Sequence, residues 1–154
     1  MANRLFSLLL FLALVVTGCA SESVEQPAAD AAEEPQSEYL EDLIITDLAE
    51  GDGNMISAGQ TAVAHYTLWL RDVTQEGEKG EMIQTSKDRG TPIPFQIGVG
   101  RVIPGWDQGV PGMKIGGTRE LRVPYALAYG ERGMPGGIPG KADLIFEIEL
   151  VDIQ

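Results

Sequence analysis

The sequence predicts an α+β domain in which a β-sheet buries one face under a single short helix. Three observations carry this. Several segments alternate apolar and polar residues with the period of a half-buried strand, and only one segment shows helical spacing. The 19 glycines and 9 prolines are concentrated between these segments, where they form long connections. At 154 residues the chain is long enough for one domain and little more.

Each element follows from its residues. Residues 43–48 are rich in β-branched side chains and end at Glu50-Gly51-Asp52-Gly53, a turn composition, so they read as a first strand. Residues 61–70 place Ala62, Ala64, Tyr66, Leu68 and Leu70 on one face, with Thr61, Val63, His65, Thr67 and Trp69 on the other. Tyr66 is thereby expected on the core side and His65 on the outer side. Residues 93–97 form a short strand whose Pro94 cannot donate to a ladder, which predicts an edge or a bulge. Ile103, Trp106, Val110 and Met113 recur at helical spacing. Pro104 suits a first turn, and Gly109, Pro111 and Gly112 hold the helix to about two turns. Residues 118–123 and 143–151 are two further strands, the second with Leu144, Phe146, Ile148 and Leu150 on one face. Between them, residues 129–140 carry five glycines and two prolines and form a loop.

The first 38 residues belong to no packed domain. One positive charge at Arg4 precedes twelve residues, 5–16, that are apolar except for Ser7; this is too short to span a bilayer and suits a signal-peptide core. Val16-Thr17-Gly18-Cys19 resembles the lipobox of bacterial lipoproteins, which implies a signal peptide over residues 1–18 and lipid on Cys19. Residues 20–38 contain six acidic and no basic residues, Pro27 and Pro35, and one large apolar residue, Val24. Such a segment cannot bury enough surface to offset the entropy of ordering, so residues 19–38 read as a lipidated, disordered tether and 39–154 as the domain. A tether of this length holds the domain roughly 25 Å from the lipid. Residue 20 is Ala20 and not aspartate, which by resemblance to the enterobacterial sorting pattern favours the periplasmic face of the outer membrane in a cell that has one.

Composition and motif searches exclude most chemistry. Lysine plus arginine number 11 against 23 aspartate plus glutamate, a net charge of −12, so a phosphate backbone would be repelled and nucleic acid is not an expected partner. One histidine and one cysteine are too few for a zinc site of those ligands, and no metal or cofactor is expected. Gly98-Val99-Gly100 follows a strand but lacks the third glycine of a dinucleotide fingerprint. There is no Gly-x-Ser-x-Gly elbow and no Walker loop, and His65 is the only imidazole for a triad. Asp and Glu are scattered over the domain without an evident pair, which leaves open carboxylates that meet only in the fold; if the domain is an enzyme, its chemistry is expected to need no acid, base or nucleophile.

Five stretches now acquire a joint meaning: Val63-Ala64-His65-Tyr66-Thr67, residues 100–110 (GRVIPGWDQGV), Gly112-Met113-Lys114-Ile115-Gly116-Gly117, Ala128-Tyr129-Gly130, and residues 144–150 (LIFEIEL). In this order they resemble the FKBP-type peptidyl-prolyl cis-trans isomerases over about 110 residues, 43–151. The resemblance implies an antiparallel sheet wrapped around one short helix. It implies isomerisation of X-Pro bonds in a pocket with Trp106 as floor and Tyr66, Phe146, Val102 and Ile103 as walls. The Ile103 amide and the Tyr129 hydroxyl would bond peptide carbonyls, and Ile138 would line the loop side. Several positions depart from the family pattern. Ile83 and Gln84 stand where a Phe-Asp pair is usual, Ile93 replaces a pocket phenylalanine, and Leu127 replaces a tyrosine. The connection over residues 71–82, with Gly77 and Gly80 among charged residues, is longer than compact members need. Ile83, Gln84, Ile93 and Leu127 are thus expected at the substrate site with reduced aromatic area and polarity. The expected partners are proline-containing segments of exported proteins, met by a monomeric domain anchored in the cell envelope through Cys19. The alternative reading is a lipid-anchored module that binds proline peptides, or acts as a chaperone, without catalysis.

Overall fold

The computed structural model describes residues 39–154; the segments expected to be a signal peptide (1–18) and a lipidated acidic tether (19–38) lie outside the described residues. Six strands form one antiparallel sheet: β1 (Ile44–Ala49), β2 (Thr61–Arg71), β3 (Lys79–Thr85), β4 (Ile93–Gln96), β5 (Thr118–Val123) and β6 (Leu144–Ile153). Their order is β1-β5-β6-β2-β3, with β4 also pairing β2. The sole α-helix among the described residues is α1 (Pro104–Gly109).

The central β2–β6 pair shows why the alternation in the sequence decides the register. Ala64, Tyr66, Leu68 and Leu70 stand opposite Leu150, Ile148, Phe146 and Leu144. Since neighbouring side chains point to opposite faces, a slip of one residue would carry this whole set into solvent. β5 continues the apolar face, with Leu121 opposite Phe146 and Val123 opposite Leu144. These residues form the core with Trp106, Val110 and Met113 from the helical segment.

Two glycines, four residues apart, seat α1 on β5. A β-carbon at Gly105 would lie 2.4 Å from Val123 Cγ1, and one at Gly109 2.7 Å from Leu121 Cδ2. The helix backbone therefore rests directly on the strand. Gly109 was expected only to limit helix length; its closer task is this contact. Pro104 occupies the first turn, where a missing N–H costs nothing.

The sequence reading missed β3. Residues 79–82 are expected in the connection over residues 71–82, yet Lys79–Thr85 form a strand. They pair with β2 through two irregularities of register, on either side of Trp69. Gly80 is required there: a β-carbon would fall 2.8 Å from Asp72 Cβ and 3.0 Å from the Leu70 carbonyl. The true connection is residues 72–78, closed by Asp72 N–H on the Glu78 carbonyl (2.8 Å) and by Asp72 Oδ1 accepting from Thr74 N–H and hydroxyl at 2.9 and 2.6 Å. β4 is an edge strand and pairs with β2 alone, as Pro94 requires.

Candidate active site

Where β2 and β6 leave the helix, the apolar face opens into a cavity of about 500 Å³. Trp106 forms its floor. The indole is 7% exposed and is enclosed by three rings: Tyr66 at 5.3 Å and 77°, Phe146 at 5.2 Å and 81°, and Phe95 at 4.6 Å and 52° between centroids and planes. Edge-on packing sets positive ring edges against negative faces and fixes the orientation of the indole. Its Nε1–H is buried without a hydrogen-bond partner among the described residues.

The chain beside the floor is held open by one carboxylate. Asp107 accepts hydrogen bonds from Gly98 N–H and Gly100 N–H, both at 2.7 Å, and so ties residues 98–100 to the first turn of α1. Val102 and Ile103 are thereby fixed at the cavity wall. The Ile103 carbonyl accepts from Trp106 and Asp107, while its N–H donates to no backbone group among the described residues. An amide in that state is ready to bind a peptide carbonyl.

Two phenols complete the polar equipment. Burial raises the pKa of Tyr66, and the positive charge of Arg89 offsets part of that rise. Burial also raises that of Tyr129, assisted by the neighbouring Tyr66 phenol. Both hydroxyls are neutral donors across the physiological range. His65 sits on the other face of β2, its Nδ1 3.2 Å from Ser86 Oγ, and does not line the cavity. Among the described residues no group of three or more His, Cys, Asp or Glu is placed to hold a metal ion.

The lining brings together Tyr66, Gln84, Ile93, Val102, Ile103, Trp106, Tyr129 and Phe146, eight of the eleven residues expected at the proline site. The other three lie elsewhere. Leu127 lines a separate hollow with Leu43, Ile45 and Pro124, because it lies on the 3₁₀ turn Tyr125–Leu127 ahead of Tyr129. Ile138 is buried in the core, with reciprocal backbone bonds to Met134. Ile83, one residue from Gln84 on β3, is partly buried against the core, 3.5 Å from where a β-carbon on Gly137 would stand. The reading missed Phe95, Leu68, Arg101 and Ala128, which also line the cavity. A period-two rule would have found the first two, since Phe95 follows Ile93 and Leu68 follows Tyr66 at the same-face interval. Phe95 restores aromatic area that Ile93 had been expected to remove.

Comparison with known proteins agrees with this geometry. The family model described as FKBP-type peptidyl-prolyl cis-trans isomerase matches residues 53–151. An FK506-binding protein of Streptomyces anulatus is 48% identical over 133 residues, 85% of this chain and 99% of the relative. The peptidyl-prolyl cis-trans isomerase FPR2 of Saccharomyces cerevisiae is 52% identical over 96 residues, 62% of this chain and 67% of its own. The crystal structure of AtFKBP13 superposes with a TM-score of 0.61 at 41% identity, covering 73% of this chain and 93% of that one. With the sheet, the helix and the ring-lined cavity in place, the chain belongs to the FKBP-type peptidyl-prolyl cis-trans isomerases and is an enzyme of that class.

Proposed function

We propose that this isomerase acts on X-Pro bonds of exported proteins from a lipid anchor on Cys19, and that it works by desolvation and positioning without proton transfer. A peptide bond before proline faces a barrier of about 18–20 kcal/mol, because twisting it destroys amide resonance. The twisted amide is less dipolar than the planar one. A dry aromatic cavity therefore penalises the planar ground state more than the transition state, and each 1.4 kcal/mol so gained is roughly tenfold in rate. The Ile103 N–H and the Tyr129 hydroxyl would hold the flanking carbonyls while the bond rotates. The observation that carries this reading is the lining itself: Trp106 enclosed by three rings, with no carboxylate and no imidazole among the lining residues.

Magnetisation-exchange NMR on short X-Pro peptides tests the activity. Line exchange accelerated at catalytic protein concentrations supports it. Peptide binding without acceleration would favour the non-catalytic module instead. The anchor is tested by fractionation: Cys19→Ser is expected to release the protein from membranes or block its maturation, and equal membrane partition of variant and wild type would overturn the anchor.

A further inference from the structure

Charge at the mouth of the cavity opposes the charge of the chain. The protein carries −12, yet the one charged side chain among the lining residues is Arg101. Arg71, Arg119 and Arg122 are each tied to carboxylates, whereas Arg101 is exposed and makes no ion pair among the described residues. The nearest acid in sequence on α1, Asp107, is occupied by the Gly98 and Gly100 amides.

A second cation stands at the Tyr66 wall. The 3₁₀ turn Lys87–Arg89 starts from Ser86, whose N–H donates to the Tyr66 carbonyl and whose Oγ accepts from Tyr66 N–H, both at 2.9 Å. The turn is thus fastened to the cavity wall. Arg89 is exposed, without an ion pair among the described residues, and its charge reaches the Tyr66 hydroxyl. The lining residue of β3 is Gln84, a neutral amide, so no carboxylate in the lining neutralises Arg101, and Asp88, beside Arg89 on the turn, makes no ion pair with it among the described residues.

We propose that Arg101 and Arg89 determine specificity, selecting peptide segments that carry a carboxylate within one or two residues of the proline. This rests on the cavity being the proline site. At physiological ionic strength the Debye length is about 8 Å, so the repulsion of an acidic peptide by the distant acidic surface is screened while contact at the rim is not. A flanking aspartate or glutamate gains two cations; a flanking lysine is repelled by both.

The test uses three proline peptides of one sequence carrying Glu, Gln or Lys in turn on either side of the proline. Affinity is read by tryptophan fluorescence, and isomerisation by magnetisation exchange. Glu is expected to bind about three- to tenfold more tightly than Lys on at least one side. That ratio should fall to about one in the Arg89→Gln/Arg101→Gln double variant and invert in Arg89→Gln/Arg101→Glu. Because each ratio compares two peptides on the same protein, a general loss of activity cancels. Equal affinity for Glu and Lys on both sides, or a preference surviving in the double variant, would overturn the proposal. Absence of acceleration on the Gln peptide would overturn the catalytic reading alone, since the preference is measured in binding. Failure of every peptide to bind would overturn both.

Discussion

Phe146 and Glu147 are adjacent on β6, and the two faces they serve could hardly differ more. Phe146 lies against the Trp106 floor and is 3% exposed. Glu147, pointing the other way, receives Lys79 at 3.4 Å and Lys87 at 3.7 Å. On that outer face Arg71 and Arg122 both bind Glu78 (2.9 and 2.8 Å), Arg122 and Lys79 both bind Glu120 (3.0 and 2.9 Å), and Lys79 also lies 4.7 Å from the Trp69 ring centroid. Beneath these long side chains Ile145 is fully buried although it belongs to the outer face, because the neighbouring strands set Trp69 and Arg122 on either side of it. One sheet thus separates a face of shared ion pairs from the face that carries the ring-lined cavity, where the charged pair Asp47–Arg119 lies away from the lining residues.

Truncation on the apolar face should have the largest effect. Phe146→Ala leaves a cavity beneath the Trp106 ring and is expected to cost about 3–5 kcal/mol of stability. Urea unfolding should show a lower midpoint with an unchanged slope. A loss below about 1 kcal/mol would mean that the floor is not packed as described.

On the charged face the expected loss is smaller. Glu78→Gln removes the shared partner of Arg71 and Arg122, and we expect about 2 kcal/mol, less than for a fully buried pair because the carboxylate is 19% exposed. The hydrogen bond from Arg71 lowers the Glu78 pKa, against burial, with help from Arg122. For Glu120, burial acts upward, but hydrogen bonds from Lys79 and Arg122 outweigh it and the net shift is also downward. Folded values below the unfolded one, about 4.3, mean that this stability is present above that pH and is lost as pH falls through the folded values. Acid unfolding monitored by circular dichroism should therefore be shallower in Glu78→Gln than in wild type; identical profiles would show that the network does not titrate with folding.

The smallest change expected of a site residue is at Tyr129. Phe at this position keeps the ring and deletes the donor, for a loss on the order of 1 kcal/mol, up to tenfold in kcat/KM. A loss of about a thousandfold would mean that the hydroxyl moves a proton during the reaction.

The two faces were not equally legible in the sequence. The apolar face was, because period-two alternation over β2 and β6 states which side of a strand is buried, and with it the register that brings Tyr66, Leu68 and Phe146 together. The roles of Trp106 and Tyr129 came from the ordered resemblance, since their spacing alone reads as ordinary core and loop. The charged face was hidden. Its ion pairs join residues as far apart as Glu78 and Arg122, and β3, which carries Lys79, is interrupted by Gly80 and by irregular pairing that no alternation reveals. Ile83, Leu127 and Ile138, which are not among the cavity's lining residues, were expected there from their positions in a motif, whereas each side chain follows the local turn or strand face.

The separation of faces makes its sharpest statement about pH. The only imidazole, His65, lies across β2 from the cavity, no lining residue is a carboxylate, and both tyrosine hydroxyls have pKa values raised by burial. The direct measurement is kcat/KM of the wild-type protein on a neutral X-Pro peptide between about pH 5 and 8, with circular dichroism recorded on the same samples. The account predicts a flat profile wherever the fold is intact; a bell, or a single step with a midpoint inside that range, would contradict catalysis by desolvation and positioning.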